Sequence, residues 1–229
     1  MLWPGSWRTT EKSAKDSLYR LSFLRWNLNK YLAIKKLNQF ATMYSENLLG
    51  FKFLFIYRDI YSINFIEVVF SESNFKHLTG VVTSMSSSLF FSECLSQQLK
   101  LNDFDFSRDG TTGSKFQVLD KILTIHTTAR YIGDYNSQRP WIITDKLIGD
   151  YECCLGLQLN KKFYIPNSVL KSNISKEVQL PPRKILASLR TERNAKVYSE
   201  LCYQKPDILI SNLDLPVALM EMLDRSLLD

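Results

Sequence analysis

Phe51-Lys52-Phe53-Leu54-Phe55-Ile56-Tyr57, followed after Arg58–Ser62 by Ile63-Asn64-Phe65-Ile66-Glu67-Val68-Val69-Phe70, decides the fold class. Both runs are dense in aromatic and β-branched residues, which suit a pleated, half-buried surface. The residues between them supply a turn, so the two runs read as a strand pair. Asn64 and Glu67 interrupt a second strand that is otherwise apolar on both sides.

Upstream, residues 9–48 read as helix. Thr9 or Thr10 can cap it, and Glu11 sits near its positive end. Leu18, Leu21, Phe23 or Leu24, and Leu28 keep helical spacing, and Tyr31, Ile34, Leu37, Phe40 and Tyr44 continue it. Lys12, Lys15, Arg20, Lys30, Lys35 and Lys36 occupy the other face. A break at Asn27–Asn29 would make two helices, and Gly50 ends the segment.

Downstream, Ser71 or Ser73 can cap a short helix through Phe75–Leu78. Ser84–Ser88 is a polar spacer, and Leu89–Leu99 has helical spacing. Asn102–Ser114 is loop-like, with turn chemistry at Arg108-Asp109-Gly110 and Thr112-Gly113. Lys115–Tyr131 reads as one helix, with Phe116, Leu119, Ile122 or Leu123, His126 and Arg130 along one stripe. Trp141–Leu159 reads as strand, and Asn160-Lys161-Lys162 turns it into Phe163-Tyr164-Ile165-Pro166. A late pair follows at Lys184–Arg190 and Lys196–Gln204. Ala218–Leu228, after Pro216, reads as a short amphipathic helix. Helices, a strand pair, more helices and then strands predict an α+β fold with a twisted, mainly antiparallel sheet. The expected organisation is an extension over 1–10, one domain over 11–205, and a tail with a short helix over 206–229.

The 229 residues are 45% hydrophobic and 23% charged, so a packed core is expected. The formal net charge of +6 favours anionic partners. Cys94, Cys153, Cys154 and Cys202 form no CxxC pair, and with two histidines no zinc spacing emerges. Cys153 and Cys154 would point to opposite faces of a strand, so reduced thiols in a cytoplasmic compartment are expected. No secretory signal is visible, and no run approaches the roughly 20 apolar residues of a membrane span.

Nucleotide-cradling GxxxxGK[ST] and GxGxxG patterns are absent, as are HExxH and GxSxG. Asp103, Asp105 and Asp109 are the densest acidic group, and they read as a solvated loop rather than a metal site. His77, beside Lys76 and before Gly80, is of the residue type that suits acid–base catalysis. A helix-end histidine bonding a carbonyl is the plainer reading. His126 lies four residues before Arg130, so the pair can approach one phosphate, or His126 can be a satisfied core histidine. Lys161-Lys162 and the group Arg183, Lys184, Arg190 and Arg193, near Tyr198 and Tyr203, suit phosphate contacts and stacking. A charged sheet edge explains them equally well.

Phe65–Phe70 followed by Ser73-Asn74-Phe75-Lys76-His77-Leu78-Thr79-Gly80-Val81 resembles a phage-associated nuclease-like family grouped with barnase, EndoU, colicin and RelE-type ribonucleases. Phe163-Tyr164-Ile165-Pro166-Asn167-Ser168 and Lys184-Ile185-Leu186-Ala187 extend the likeness, which spans about residues 15–205. The resemblance implies metal-independent RNA cleavage with no cofactor, in a bacterial host cell. It carries over His77 alone. Beside it, Arg190, Lys184 and Arg130 are candidate phosphate cations, and Tyr198 or His126 a second proton carrier. The alternative is a non-catalytic binder that inhibits a host nucleic-acid-binding defence system. The partner is then RNA or such a protein.

Overall fold

The computed structural model describes residues 29–138 and 142–228. The expected extension over 1–10, the first half of the helical run over 9–48, and Trp141 lie outside them. Helix α1 covers 29–47, and a turn carries the chain to Gly50 at φ 86°. The hairpin expected from the opening stretch follows: β1 (Phe51–Arg58) pairs antiparallel with β2 (Ile63–Val69), with Phe55 opposite Ile66. Then come α2 (Glu72–Thr79), β3 (Val81–Val82), α3 (Ser87–Leu95), β4 (Asp105–Phe106) and three short helices, α4 (Thr111–Phe116), α5 (Leu119–Ile122) and α6 (Ile125–Thr128). The remaining strands are β5 (Tyr131–Asp134), β6 (Lys146–Gly149), β7 (Cys154–Asn160), β8 (Phe163–Leu170), β9 (Arg183–Glu192) and β10 (Glu200–Gln204). Helix α7 (Ile174–Glu177) precedes β9, and α8 (Val217–Met220) lies in the tail. The α+β class is as expected.

The sheet runs β1-β2-β8-β7-β6-β5-β9-β10, and β9 pairs also with β1. Seven strands therefore close into a ring, with β10 as a branch on β9. All pairings are antiparallel except β2–β8. Inside the ring, Phe53, Phe55 and Tyr57 of β1 join Ile132, Ile148, Leu155 and Ile185 in a core that continues into the helices. Tyr44 of α1 anchors that continuation: its ring lies 5.4 Å from Phe75 and 5.6 Å from Phe91. Burying each such aromatic contributes roughly 1.5–3 kcal/mol. Leu54 and Ile56, of opposite parity on β1, pack outward against Ile210, Leu215, Leu219 and Leu223 of the tail. A third cluster places Leu147 and Cys154 against Ile174 and Val178 around α7. All four cysteines are free thiols, and Cys153 and Cys154 belong to clusters on opposite sides of the sheet.

Several expectations are corrected. Lys115–Tyr131 is not one helix. Thr124, Thr127 and Thr128 each turn a hydroxyl onto a carbonyl three or four residues back, at 3.0, 2.9 and 3.0 Å, and the chain breaks into short turns. Tyr131 already belongs to β5. The helix expected to reach Leu99 ends at Leu95, beyond which Gln97 is left-handed at φ 60°. The segment expected as loop over Asn102–Ser114 contains β4 and the start of α4. The single strand expected over Trp141–Leu159 is instead β6, from Lys146, and β7, joined by a turn where Asp150 accepts from the N–H groups of Glu152 and Cys153. Residues before and after that turn therefore do not share one face. In the tail, the helix expected over Ala218–Leu228 shrinks to α8 and a 3-10 turn.

Candidate nucleic-acid interface

Strand β9 changes partner along one edge. At its start Lys184 lies opposite Tyr131 of β5, and from Ala187 onward it faces β10, with Ala187 opposite Gln204 and Arg190 opposite Glu200. Its other edge stays with β1. Between the two partners the sheet forks. Ile185 N–H donates to Arg130 O at 3.0 Å, and Lys205 N–H donates to Leu186 O at 2.7 Å, so both walls are tied by backbone. The fork encloses a cleft of about 270 Å³ lined by Arg130, Tyr131, Lys184, Tyr203, Lys205 and Pro206. The Arg130 guanidinium lies 4.0 Å from the Tyr203 ring centre. One of its terminal nitrogens donates to Thr127 O at 2.9 Å and Ala129 O at 3.1 Å. Tyr151 extends the wall, donating its hydroxyl to that of Tyr131 at 2.6 Å.

Beside the fork, α6 lays His126 against β9. Ser188 Oγ donates to His126 O, and Ser188 pairs with Tyr203 across the β9–β10 ladder. The imidazole ring lies 5.4 Å from Phe53. Arg190 Nη2 meets Glu200 Oε1 at 2.6 Å, and its guanidinium lies 4.6 Å from the Phe51 ring centre. His126 Nδ1 and Arg190 Nε are both buried without a hydrogen-bond partner among the described residues. Burial, then the Arg190 charge, lowers His126 to about 4. The bond from Arg190 holds Glu200 below the usual carboxylate range, and the same bond raises Arg190. At neutral pH the cluster is thus a neutral imidazole, a guanidinium and a carboxylate. It can accept a proton and hold a developing negative charge.

The remaining sequence-based candidates lie elsewhere. His77 is exposed on the last turn of α2, and its carbonyl accepts from Lys115 Nζ at 2.6 Å. Lys76 Nζ bonds the carbonyls of Thr83 and Met85 at 3.1 and 2.8 Å. The rest of the family motif is structural. Asn74 Oδ1 accepts from Ser71 N–H at 2.9 Å at the start of α2, Phe75 and Leu78 fill the core, and Gly80 ends the helix at φ 68°. Tyr198 is buried against the tail and donates to Glu67 Oε1 at 2.8 Å; burial raises its hydroxyl further. Among the described residues, His77, His126 and Tyr198 share no hydrogen bond or ring contact. Lys161 and Lys162 form the β7–β8 hairpin tip, and Arg193 reaches Phe70 O at 3.3 Å. Arg130 and Lys184 meet in the fork, and Arg190 lies beside it. Glu200 and Lys205 were not singled out from sequence. The signal for Glu200 is its place across the expected late strand pair from Arg190. Lys205 follows the last residue of that pair. Among the described residues no group of three or more His, Cys, Asp or Glu side chains is arranged to hold a metal ion.

A closed sheet with a cationic fork beside a histidine, an arginine and a glutamate defines the class, an α+β protein with a large, mainly antiparallel sheet. The chain belongs to the family described as phage-Barnase-EndoU-ColicinE5/D-RelE like nuclease4, whose model matches residues 36–207. It is accordingly a nuclease-like protein of a phage-associated family, as the motif resemblance implied. No curated protein and no solved structure matches it significantly. No described helix is long and apolar enough to cross a membrane.

Proposed function

We propose that the protein binds RNA in the fork and cleaves it without a metal. The observation that carries this reading is the cationic cleft, whose Tyr203 pairs across the β9–β10 ladder with Ser188, the residue bonded to His126, beside an Arg190 and a His126 whose buried Nε and Nδ1 have no partner among the described residues. Arg130, Lys184 and Lys205 hold phosphates flanking the scissile bond. His126 takes the proton of a ribose 2′-hydroxyl, O2′ attacks phosphorus, and Arg190 stabilises the phosphorane. The P–O5′ bond then breaks, and O5′ leaves with a proton from water. The products are a 2′,3′-cyclic phosphate and a 5′-hydroxyl. Tyr198, already donating to Glu67, takes no part.

Incubation of RNA with the protein in EDTA should give fragments ending in 2′,3′-cyclic phosphate. His126→Ala, confirmed as folded, should slow cleavage about 100-fold or more. Intact RNA after prolonged incubation overturns the reading. His77→Ala, made in parallel, locates the proton transfer: a loss as large as that of His126→Ala moves it to α2.

A second reading is a non-catalytic inhibitor of a host nucleic-acid-binding defence protein, active in the cytoplasm of a bacterial cell. It is favoured by the burial of His126, which leaves the residue 7% exposed. Recovery of one specific protein from bacterial lysate, with RNA left intact, supports it. Cleavage in EDTA removes its basis.

A further inference from the structure

The fork is one end of a longer channel. Its cleft shares Lys205 and Pro206 with a second cleft of about 520 Å³. That cleft shares Arg58, Asn212 and Leu213 with a third of about 440 Å³ at the β1–β2 turn, where Tyr61 forms a wall. The shared lining makes the three contiguous, from β5 past the chain after β10 to the hairpin tip. Cations recur along it: Arg130 and Lys184, then Lys205, then Arg58. None of the four is in an ion pair among the described residues. Two aromatic rings mark its ends: Tyr203 at the fork, half-buried beneath the Arg130 guanidinium, and Tyr61 at the far end, 96% exposed. Asp207 lines the middle cleft and Asp214 the far one, so the bias is cationic but not uniform.

We infer that this channel is a track for single-stranded RNA, leading several nucleotides away from the fork. The inference rests on the reading that the fork receives RNA. Cations outside ion pairs at intervals suit successive phosphates, and the exposed Tyr61 ring at the far end suits an unstacked base. A duplex hides its base faces and cannot offer them to Tyr61. Three clefts of nucleotide size correspond to roughly four to six nucleotides, at the short end for grooves of this kind.

The test uses 2′-O-methyl RNA, which lacks the attacking hydroxyl, in lengths from two to ten nucleotides, read by fluorescence anisotropy at several salt concentrations. Affinity should rise with length and level off at roughly four to six nucleotides. A duplex of the same sequence should bind about tenfold more weakly or worse. Arg58→Ala should reduce octamer affinity roughly three- to tenfold relative to the dimer and lower the salt slope by about 1. Tyr61→Ala, at a fully exposed position that folding does not need, should cost a similar factor with the salt slope unchanged. Length-independent affinity, equal duplex binding, or octamer affinity unmoved by both substitutions overturns the track. The two readings fail separately. RNA cleaved by a protein that binds octamer and dimer alike removes the track and keeps the nuclease. Length-dependent binding with RNA left intact does the reverse.

Discussion

Arg183 and Lys184 are neighbours on β9, and the sheet sends them to opposite fates. Arg183 Nε meets Asp59 Oδ1 at 2.8 Å, and its Nη1 meets Asp134 Oδ2 at 3.1 Å. Asp134 is also paired with Lys146. This network links the β1–β2 turn, β5, β6 and β9 across the ring. Its carboxylates raise Arg183 although burial opposes them, while Lys146 and Arg183 hold Asp134 low. Lys184, one residue on, enters the fork with Arg130 and Lys205 and has no carboxylate partner among the described residues. The lesson is that charge count identifies neither role. Position relative to the partner switch on β9 decides whether a cation holds the sheet or remains free for an anion.

The largest effect expected from breaking this contrast is on stability. Arg183→Ala leaves Asp59 and Asp134 without their shared cation, although Asp134 keeps Lys146, and should cost about 2 kcal/mol in denaturant unfolding. Lys184→Ala should stay within about 0.5 kcal/mol of wild type, yet lower RNA affinity several-fold. If the two effects are exchanged, the assignment of roles is wrong.

Arg190 is the intermediate case, engaged by Glu200 yet beside His126. His126 is lowered from 6.5 to about 4, so between those values the unfolded chain binds the extra proton. Stability is therefore complete above pH 6.5 and declines as the pH falls toward 4, by on the order of 2 kcal/mol. His126→Gln should flatten that slope in urea titrations across the same window.

The smallest effect concerns Lys115, a cation engaged by a backbone carbonyl. A Cβ at Gly80 would lie 2.8 Å from Lys115 Cδ, and the residue's φ of 68° is left-handed. Gly80→Ala should cost about 1 kcal/mol and leave RNA affinity unchanged in the anisotropy assay. A fall in affinity would connect α2 to the fork.

Much of the fold was legible, because β1, β2, α2 and β9 each carry a strong local pattern. Phe53, Phe55 and Tyr57 alternate with Leu54 and Ile56, and the two sets do face different cores. The closure of the ring was not legible, because β1 meets β9 through a contact far along the chain whose register shifts near Tyr57. The three-helix break was hidden because apolar spacing continues through it while threonine hydroxyls redirect the backbone. In the site, Arg130 and Lys184 stood out by residue type. What joins them is the fork, which depends on where β5 ends and β10 begins along β9, and no local pattern records that.

The backbone ties at the fork also bear on kinetics. Ile185 and Leu186 fix the cleft walls through Arg130 and Lys205 before any ligand arrives. Association then needs no loop closure, so its rate is governed by diffusion in the field of the cations. Added salt should slow arrival more than it hastens departure.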